Sequence, residues 1–355
     1  MQAILPSKPL KEAVHRLIAT LGSRVNPLLG YIHLESTPAA LRLTSTNGPQ
    51  SQSVTITGEV SPGPAVLLPG SIFQNLVQFC VGEQTRLSYQ EHAILIQSGS
   101  FRAEVTHTTP ENYPLPEWPQ GGLSLPGHLL AEALDTVRYA ALTQIAPNLK
   151  GVRLELHPDR LRAVSTDGFR IAWQEHLLQE TYSPGAALLP LSLVQLIVQA
   201  FKNHPEPVTL TLQEKTLFIQ SSQIALQGDL LDGTFPPYQR VAQNPAQYHL
   251  TLEAPLLAEA LKRMTLVHTN QLPRVRLDAS NGLLTLSTSG ELGSSSETLA
   301  AESNAPIAFE INALYLLEAL KPLEGSVDLY LQQPGSPIRL EGSRPGYLAV
   351  VAPMK

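Results

Sequence analysis

The chain has 355 residues, 43% of them hydrophobic and 15% charged, with a formal net charge of -6 and one cysteine. This describes a folded chain long enough for two or three domains, not a general nucleic-acid binder with a broadly basic surface, and it excludes an intrachain disulfide framework. Met1-Gln2-Ala3-Ile4 does not begin a signal peptide, and no apolar run approaches ~18 residues, so the expected setting is cytoplasmic, with no membrane span.

In chain order, a helix is expected over residues 9–18, followed by strands at 31–34 and 41–44, the second closing at Ser45-Thr46-Asn47-Gly48. A short strand (66–69) leads to a second helix (71–79), whose apolar face continues to Cys80, expected to be buried. Strands return over 86–97, and the proline-rich stretch 112–122 reads as a linker.

The same order then recurs. In the next helix Leu130, Ala133, Leu134 and Val137 form one apolar stripe at spacings of three and four, with Glu132, Asp135 and Arg138 opposite. A hairpin over 151–166 turns at His157-Pro158-Asp159 and closes at Ser165-Thr166-Asp167-Gly168. A strand at 188–190, a helix over 192–201 and strands over 208–220 follow, then a second proline-rich linker over 235–245. The third copy begins with the helix Leu256-Leu257-Ala258-Glu259-Ala260-Leu261, turns a hairpin at Asn281-Gly282 and closes at Ser287-Thr288-Ser289-Gly290. Its later elements are a strand at 307–310, a helix over 312–320 and strands at 327–331 and 338–340. Pro9, Pro126 and Pro255 stand at or before the first helix of each copy, and Ser71, Ser192 and Asn312 are the expected N-caps of the second helices.

The three closing motifs lie 120 and 122 residues apart, which divides the chain into repeats at 1–118, 122–241 and 245–355. Each repeat carries two helices and about eight strands, an α+β class of fold with helices on one side of antiparallel sheet. Open sheet edges in such repeats invite edge-to-edge continuation into an arc, and two arcs related by a twofold axis close into a ring. Repetition also places function in shape, because a catalytic centre would mark one copy only. The ten histidines are scattered without zinc-ligand spacing, and no phosphate loop or dinucleotide fingerprint is present, so no cofactor is expected. Asp167-Gly168 and Asp232-Gly233 sit in turn contexts, where they serve the backbone.

The stretch Lys150-Gly151-Val152-Arg153-Leu154, the run Arg162-Ala163-Val164-Ser165-Thr166-Asp167-Gly168-Phe169-Arg170-Ile171-Ala172, the linker Leu231-Asp232-Gly233-Thr234-Phe235-Pro236-Pro237-Tyr238 and the tail Tyr347-Leu348-Ala349-Val350-Val351-Ala352-Pro353-Met354-Lys355 together resemble the bacterial sliding clamp family, the beta subunit of DNA polymerase III. The likeness spans the whole chain. It implies a non-catalytic processivity factor: a head-to-tail homodimer, a ring of six DNA-clamp domains, threaded by double-stranded DNA without regard to sequence. The family tethers the replicative DNA polymerase, clamp loader, repair polymerases, mismatch-repair proteins and ligase through short peptides carrying glutamine, leucine and an aromatic or hydrophobic pair. By that resemblance the peptide pocket comprises Leu149, Thr166, Gly168, Phe169, Arg170 and Ile171 from the middle domain and Pro236, Arg240 and Val241 from the linker. From the last domain come Ser336, Val350, Val351, Ala352, Pro353 and Met354. Arg170 and Arg240 are expected to donate hydrogen bonds to the peptide. Phe169 stands where the family commonly has histidine or tyrosine, and Ala352 where it has methionine. Lys8, Lys11, Arg16, Arg24, Arg138, Lys202, Lys262 and Arg263, with His15 and His268, are the expected DNA-facing residues. The dimer edges are expected near Ala103-Glu104-Val105 and Ser296-Glu297-Thr298-Leu299. The alternative is a diverged clamp-like scaffold that binds partner peptides without encircling DNA.

Overall fold

The computed structural model describes residues 1–22, 26–141, 151–178, 184–243, 245–269 and 272–354. In the first repeat β1 (Gln2–Pro6) runs straight into α1 (Ser7–Leu17), and β2 (Tyr31–Thr37), β3 (Ala40–Thr46), β4 (Gln50–Thr57), β5 (Glu59–Ser61) and β6 (Val66–Pro69) follow. It closes with α2 (Gly70–Gln78), β7 (Gln84–Tyr89), β8 (Ala93–Ser98) and β9 (Phe101–Thr106). The second repeat opens with β10 (Leu123–Pro126) and α3 (Gly127–Val137), then β11 (Gly151–His157), β12 (Arg160–Thr166), β13 (Arg170–Leu177) and β14 (Gly185–Pro190). It continues through α4 (Leu191–Phe201), β15 (Pro207–Leu212), β16 (Thr216–Gln220) and β17 (Ile224–Asp229) to the one-turn α5 (Gln239–Ala242) in the linker. The third contains β18 (Tyr248–Glu253), α6 (Ala254–Thr265), β19 (Arg274–Ser280), β20 (Leu283–Gly290), β21 (Gly293–Ala300), β22 (Glu302–Ser303) and β23 (Ile307–Asn312). Its last elements are α7 (Ala313–Leu320), β24 (Ser326–Leu331), β25 (Ile338–Gly342) and β26 (Tyr347–Val351).

Strand pairing across repeats gathers these elements into two compact units. The first holds Met1–His128 and Gln199–Leu230, the second Leu129–Val198 and Leu231–Lys355. In the first unit β17 pairs with β4, so one eight-stranded sheet runs β10-β15-β16-β17-β4-β3-β2-β6, beside a five-stranded sheet β5-β1-β7-β8-β9. In the second unit β13 pairs with β26, giving the nine-stranded order β14-β11-β12-β13-β26-β25-β24-β18-β22, beside β21-β20-β19-β23. The middle repeat is thereby divided, each half built into a neighbour's sheet. Edge-to-edge continuation is found within both units.

The first unit's core shows why the helices form where they do. The stripe Leu10, Ala13, Val14 and Leu17 on α1 packs in one cluster with Phe73 and Val77 of α2, Ile32, Leu34, Leu41 and Leu43 of one sheet, and Leu87, Ile94 and Ile96 of the other. Each fully buried leucine there contributes about 1.5–3 kcal/mol of transfer free energy. Cys80 closes that cluster, 1% exposed. The Asn281-Gly282 turn has φ of 53° and 78°, both left-handed, as a type I′ hairpin requires.

Two of the three N-cap expectations fail. Ser71 and Ser192 lie inside α2 and α4, because the preceding strands end in Pro69 and Pro190 and turn directly into helix. Asn312 does cap α7, accepting a hydrogen bond from Leu314 N at 2.9 Å.

Candidate peptide-binding site

Three short segments of the second unit meet where β13 lies beside β26. The first is the turn from β12 into β13. Thr166 donates to Arg170 O at 2.7 Å and accepts from Gly168 N at 3.1 Å. Asp167 accepts from Phe169 N and Arg170 N at 2.8 and 3.0 Å. Gly168 takes φ +90°, which a residue with a Cβ adopts only at a cost. The turn holds Phe169 outward, 46% exposed, with its ring 6.5 Å from that of Tyr315.

Arg170 does the opposite of what the sequence suggested. Its side chain is 4% exposed. It donates to Asp167 Oδ2 at 2.9 Å, to Tyr139 O at 3.0 Å and to Glu318 of α7, and it stacks 4.4 Å from the Tyr315 ring. A guanidinium so occupied ties the β12–β13 turn to α7 and is not presented to a ligand. Arg240, on α5, is exposed.

The second segment is β26 and its tail. Ile171 faces Val350 across the strand pair and Arg170 faces Val351. Ala352 N donates to Phe169 O at 2.7 Å, and Pro353 makes a bridge to Ile311, so the tail is pinned on both sides. Val350 and Val351 are buried, whereas Ala352, Pro353 and Met354 are half-buried. Ser336, in the turn before β25, accepts from the amides of Gln332 and Gln333 at 3.1 and 3.2 Å and donates to Gln333 O. It shapes that turn two residues ahead of Ile338, the partner of Val351.

The third segment is the linker. Phe235 and Tyr238 are buried against Val164 and Leu188, with Ile171 and Trp173 alongside, and Ala242 packs on Leu348 and Val350. Pro236 is half-buried beside this anchor, and Val241 is 36% exposed. Beneath the linker runs a charged ladder that sequence reasoning did not single out. Glu155 accepts from Tyr238 Oη at 2.8 Å and Arg153 Nε at 2.6 Å; Arg162 donates to Tyr238 Oη at 3.0 Å and Glu175 at 2.6 Å while lying 4.9 Å over the Trp173 ring. Burial disfavours the Glu155 carboxylate, but the Tyr238 hydroxyl, Arg153 and His157 outweigh it and hold the group below its ordinary range. The signal was present as alternate charged residues on paired strands, Glu155, Arg162 and Glu175, all on one sheet face.

The site is therefore an apolar strip, Ile171 with Val350, flanked by exposed Phe169, Val241 and Arg240. It offers walls for apolar anchors and edge donors for a peptide. Leu149 lies outside the described residues.

Most of the described basic residues expected to face DNA are engaged by partners within the chain. Lys11 donates to Gln78 O, the last carbonyl of α2, and Arg16 to Gln199 O in the last turn of α4, both at 3.0 Å. Each thus satisfies a helix C-terminus, where positive charge is favoured. Arg138 pairs with Asp135 at 2.8 Å, Lys262 with Glu259 and Arg263 with Glu297, both at 2.6 Å. His15 meets Gln74, and His268 meets Thr288. Lys8 and Lys202 are exposed, and Arg24 lies outside the described residues.

Among the sheet-edge strands are β9 in the first unit and β21 in the second. Apolar side chains flank each. Phe79 (66% exposed) lies 6.3 Å from Phe101 of β9, and Leu292 (69%) immediately precedes β21, its amide bonded to Val267 O beside Leu266 (74%).

A strand-joined series of helix-on-sheet repeats defines a clamp-like α+β protein. Family models match it over residues 124–237, as the central domain of the DNA polymerase III beta subunit, and over 240–355, as its C-terminal domain. The chain belongs to the DNA polymerase III beta subunit family, the beta sliding clamps. It is 28% identical over 335 residues to the beta sliding clamp of Streptomyces coelicolor, covering 90% of this chain and 87% of that one. It is 21% identical over 365 residues to that of Escherichia coli K12, covering both completely. The crystal structure of the Streptococcus pyogenes beta subunit matches with a TM-score of 0.93 at 23% identity over 100% of both chains.

Proposed function

We infer that this chain acts as a sliding clamp, a non-catalytic processivity factor in DNA replication. Family membership over both the central and C-terminal domains carries this reading. Its finer parts rest on geometry. β9 in the first unit and β21 in the second are edge strands with exposed apolar side chains beside them. Pairing β9 of one copy with β21 of another, twice about a twofold axis, would close a homodimer. Double-stranded DNA would pass through the hole. Basic residues mostly neutralised by nearby carboxylates or helix ends suit weak, salt-sensitive phosphate contact that permits sliding.

The strip between β13, β26 and α5 is the proposed docking site for peptides of the replicative polymerase, clamp loader, repair polymerases, mismatch-repair proteins and ligase. Phe169, Ile171, Val241, Val350 and Met354 supply apolar walls, and Arg240 an exposed donor. The proposed domain boundaries are 1–118, 122–241 and 245–355, and the proposed location is cytoplasmic, at the nucleoid. No described helix is long and apolar enough to cross a membrane.

The deciding experiment is loading onto nicked circular DNA with a clamp loader. A dimer retained on the circle and lost on linearisation supports the reading. A monomer that is never retained refutes it and leaves a peptide-binding scaffold.

A further inference from the structure

The junction between β4 and β17 repeats the β13–β26 junction bond for bond. Gln50 pairs with Gly228, Ser51 with Gln227, and Ser53 with Ala225, as Arg170 pairs with Val351, Ile171 with Val350, and Trp173 with Leu348. Asp229 N donates to Pro49 O at 2.8 Å, the counterpart of Ala352 N to Phe169 O at 2.7 Å. The turn is also shared: Thr46 donates to Gln50 O, Gly48 N donates to Thr46, and Gly48 takes φ +95°.

With the backbone constant, the side chains differ in a directed way. Serines stand for Ile171 and Trp173, and Gln227 for Val350. Thr55 stands for Glu175, while Arg42 keeps the place of Arg162 and Glu35 that of Glu155. In the second unit the Arg162 guanidinium is covered by the Trp173 ring and bonded to Glu175 and Tyr238. In the first, Arg42 has only Glu35 among the described residues, at 3.7 Å, and its side chain is 42% exposed. The first linker's one phenol, Tyr113, is committed to Tyr31 O at 2.9 Å. What remains is a cavity of about 350 Å³ lined by Arg42, Ser53, Thr55, Trp118, Gln120 and Gln223, among others. One wall is fixed by the Trp118 ring set edge-on to Phe218 and by Gln220 bonded to Pro119 O at 2.9 Å.

We propose that this cavity is a second peptide-docking site, distinct from the β13–β26 strip, and that it takes an extended partner segment with an aromatic residue next to an acidic one. The aromatic ring would occupy the space that Trp173 fills in the second unit and stack on Arg42. The acidic side chain would replace Glu175 as the guanidinium's carboxylate. Side-chain amides of Gln120 and Gln223 are placed to serve the peptide backbone. Cation–π and charge-assisted contacts strengthen as the groove is desolvated. The occupant is thus defined by the pieces the first unit lacks relative to the second.

The test titrates acetyl-Glu-Trp-Glu-amide into the full chain by calorimetry, with acetyl-Gln-Trp-Gln-amide and acetyl-Glu-Ala-Glu-amide as comparators. The acidic tryptophan peptide is expected to bind most tightly. Arg42→Ala should weaken it by about tenfold or more. Ser53→Trp, which supplies the missing indole, should abolish it. Thr55→Glu, at a half-exposed position that tolerates the change, supplies the missing carboxylate and should weaken it comparably, which keeps the test decisive if Ser53→Trp fails to fold. No binding to the unmodified chain at about 1 mM peptide overturns the proposal. So does binding that Arg42→Ala and Thr55→Glu leave unchanged, which would place the peptide at the β13–β26 strip. Neither outcome touches the clamp reading, which is decided by retention on circular DNA.

Discussion

Replacing Arg170 with alanine should be the most damaging single change at the docking site, and the structure gives its size. The guanidinium is enclosed and neutralises two carboxylates. Asp167 has a side chain 1% exposed; Glu318 is 28% exposed and can turn toward water. The cost therefore falls on Asp167. It would keep its bonds to the amides of Phe169 and Arg170 but lose its only counter-ion among the described contacts. Stranding a buried charge in this way costs about 3–5 kcal/mol. Loss of the cation–π contact with Tyr315 adds about 0.5–2 kcal/mol. The chain has two tryptophans, Trp118 in the first unit and Trp173 in the second, so in a Trp118→Phe background Trp173 fluorescence follows urea unfolding of the second unit alone. Arg170→Ala should lower that unit's stability by roughly 4 kcal/mol. Arg170→Ala with Asp167→Ala should cost less than the sum of the two single changes by about 2 kcal/mol. A loss under about 1 kcal/mol for Arg170→Ala, or strict additivity in the cycle, would refute the structural role assigned to the Arg170–Asp167 pair.

Val241→Asp places a charge on the exposed apolar rim without disturbing the core, and affinity for a glutamine–leucine–aromatic clamp-binding peptide should fall about 10–100-fold by calorimetry; unchanged affinity would move the site away from α5. Leu292→Lys and Leu266→Lys should convert a dimer into the 38.5 kDa monomer in sedimentation velocity. If the dimer persists in both variants, the β21 edge is not the interface. The carboxyl of Glu155 is held below its ordinary value of 4.5 in the folded chain. Its contribution is therefore fully present above that value and disappears as pH falls through the folded one. The stability difference between the unmodified chain and Glu155→Gln should stay level from about pH 7 to pH 5 and shrink below about pH 4, read from urea midpoints; a difference that grows on acidification would contradict the ladder's role.

The turn from β12 into β13 was legible in the sequence because its parts are local. The Thr166-Asp167-Gly168 turn closes on its own side chains, so residue type and spacing define it. Phe169 and Val241 were assigned to the pocket and are exposed beside the strip. The direction of Arg170 could not be read, since its partners Tyr139 and Glu318 lie 31 and 148 residues away. Lys11 and Arg16 were assigned to a DNA-facing surface by their charge, yet each reaches a helix terminus on another element. Charge in a sequence carries no record of its nearest carbonyl.

The amino-acid pattern by itself determined three repeats, their hairpins and the apolar stripes of their helices. Period two, period 3.6 and turn chemistry act over a few residues and survive in any context. Only the tertiary structure decided that β4 continues into β17 and β13 into β26, because backbone pairing between distant strands is blind to side-chain identity and is fixed by which edges meet. That pairing also gives each unit its own junction, one filled by Trp173 and Glu175 and the other left open above Arg42 by Ser53 and Thr55.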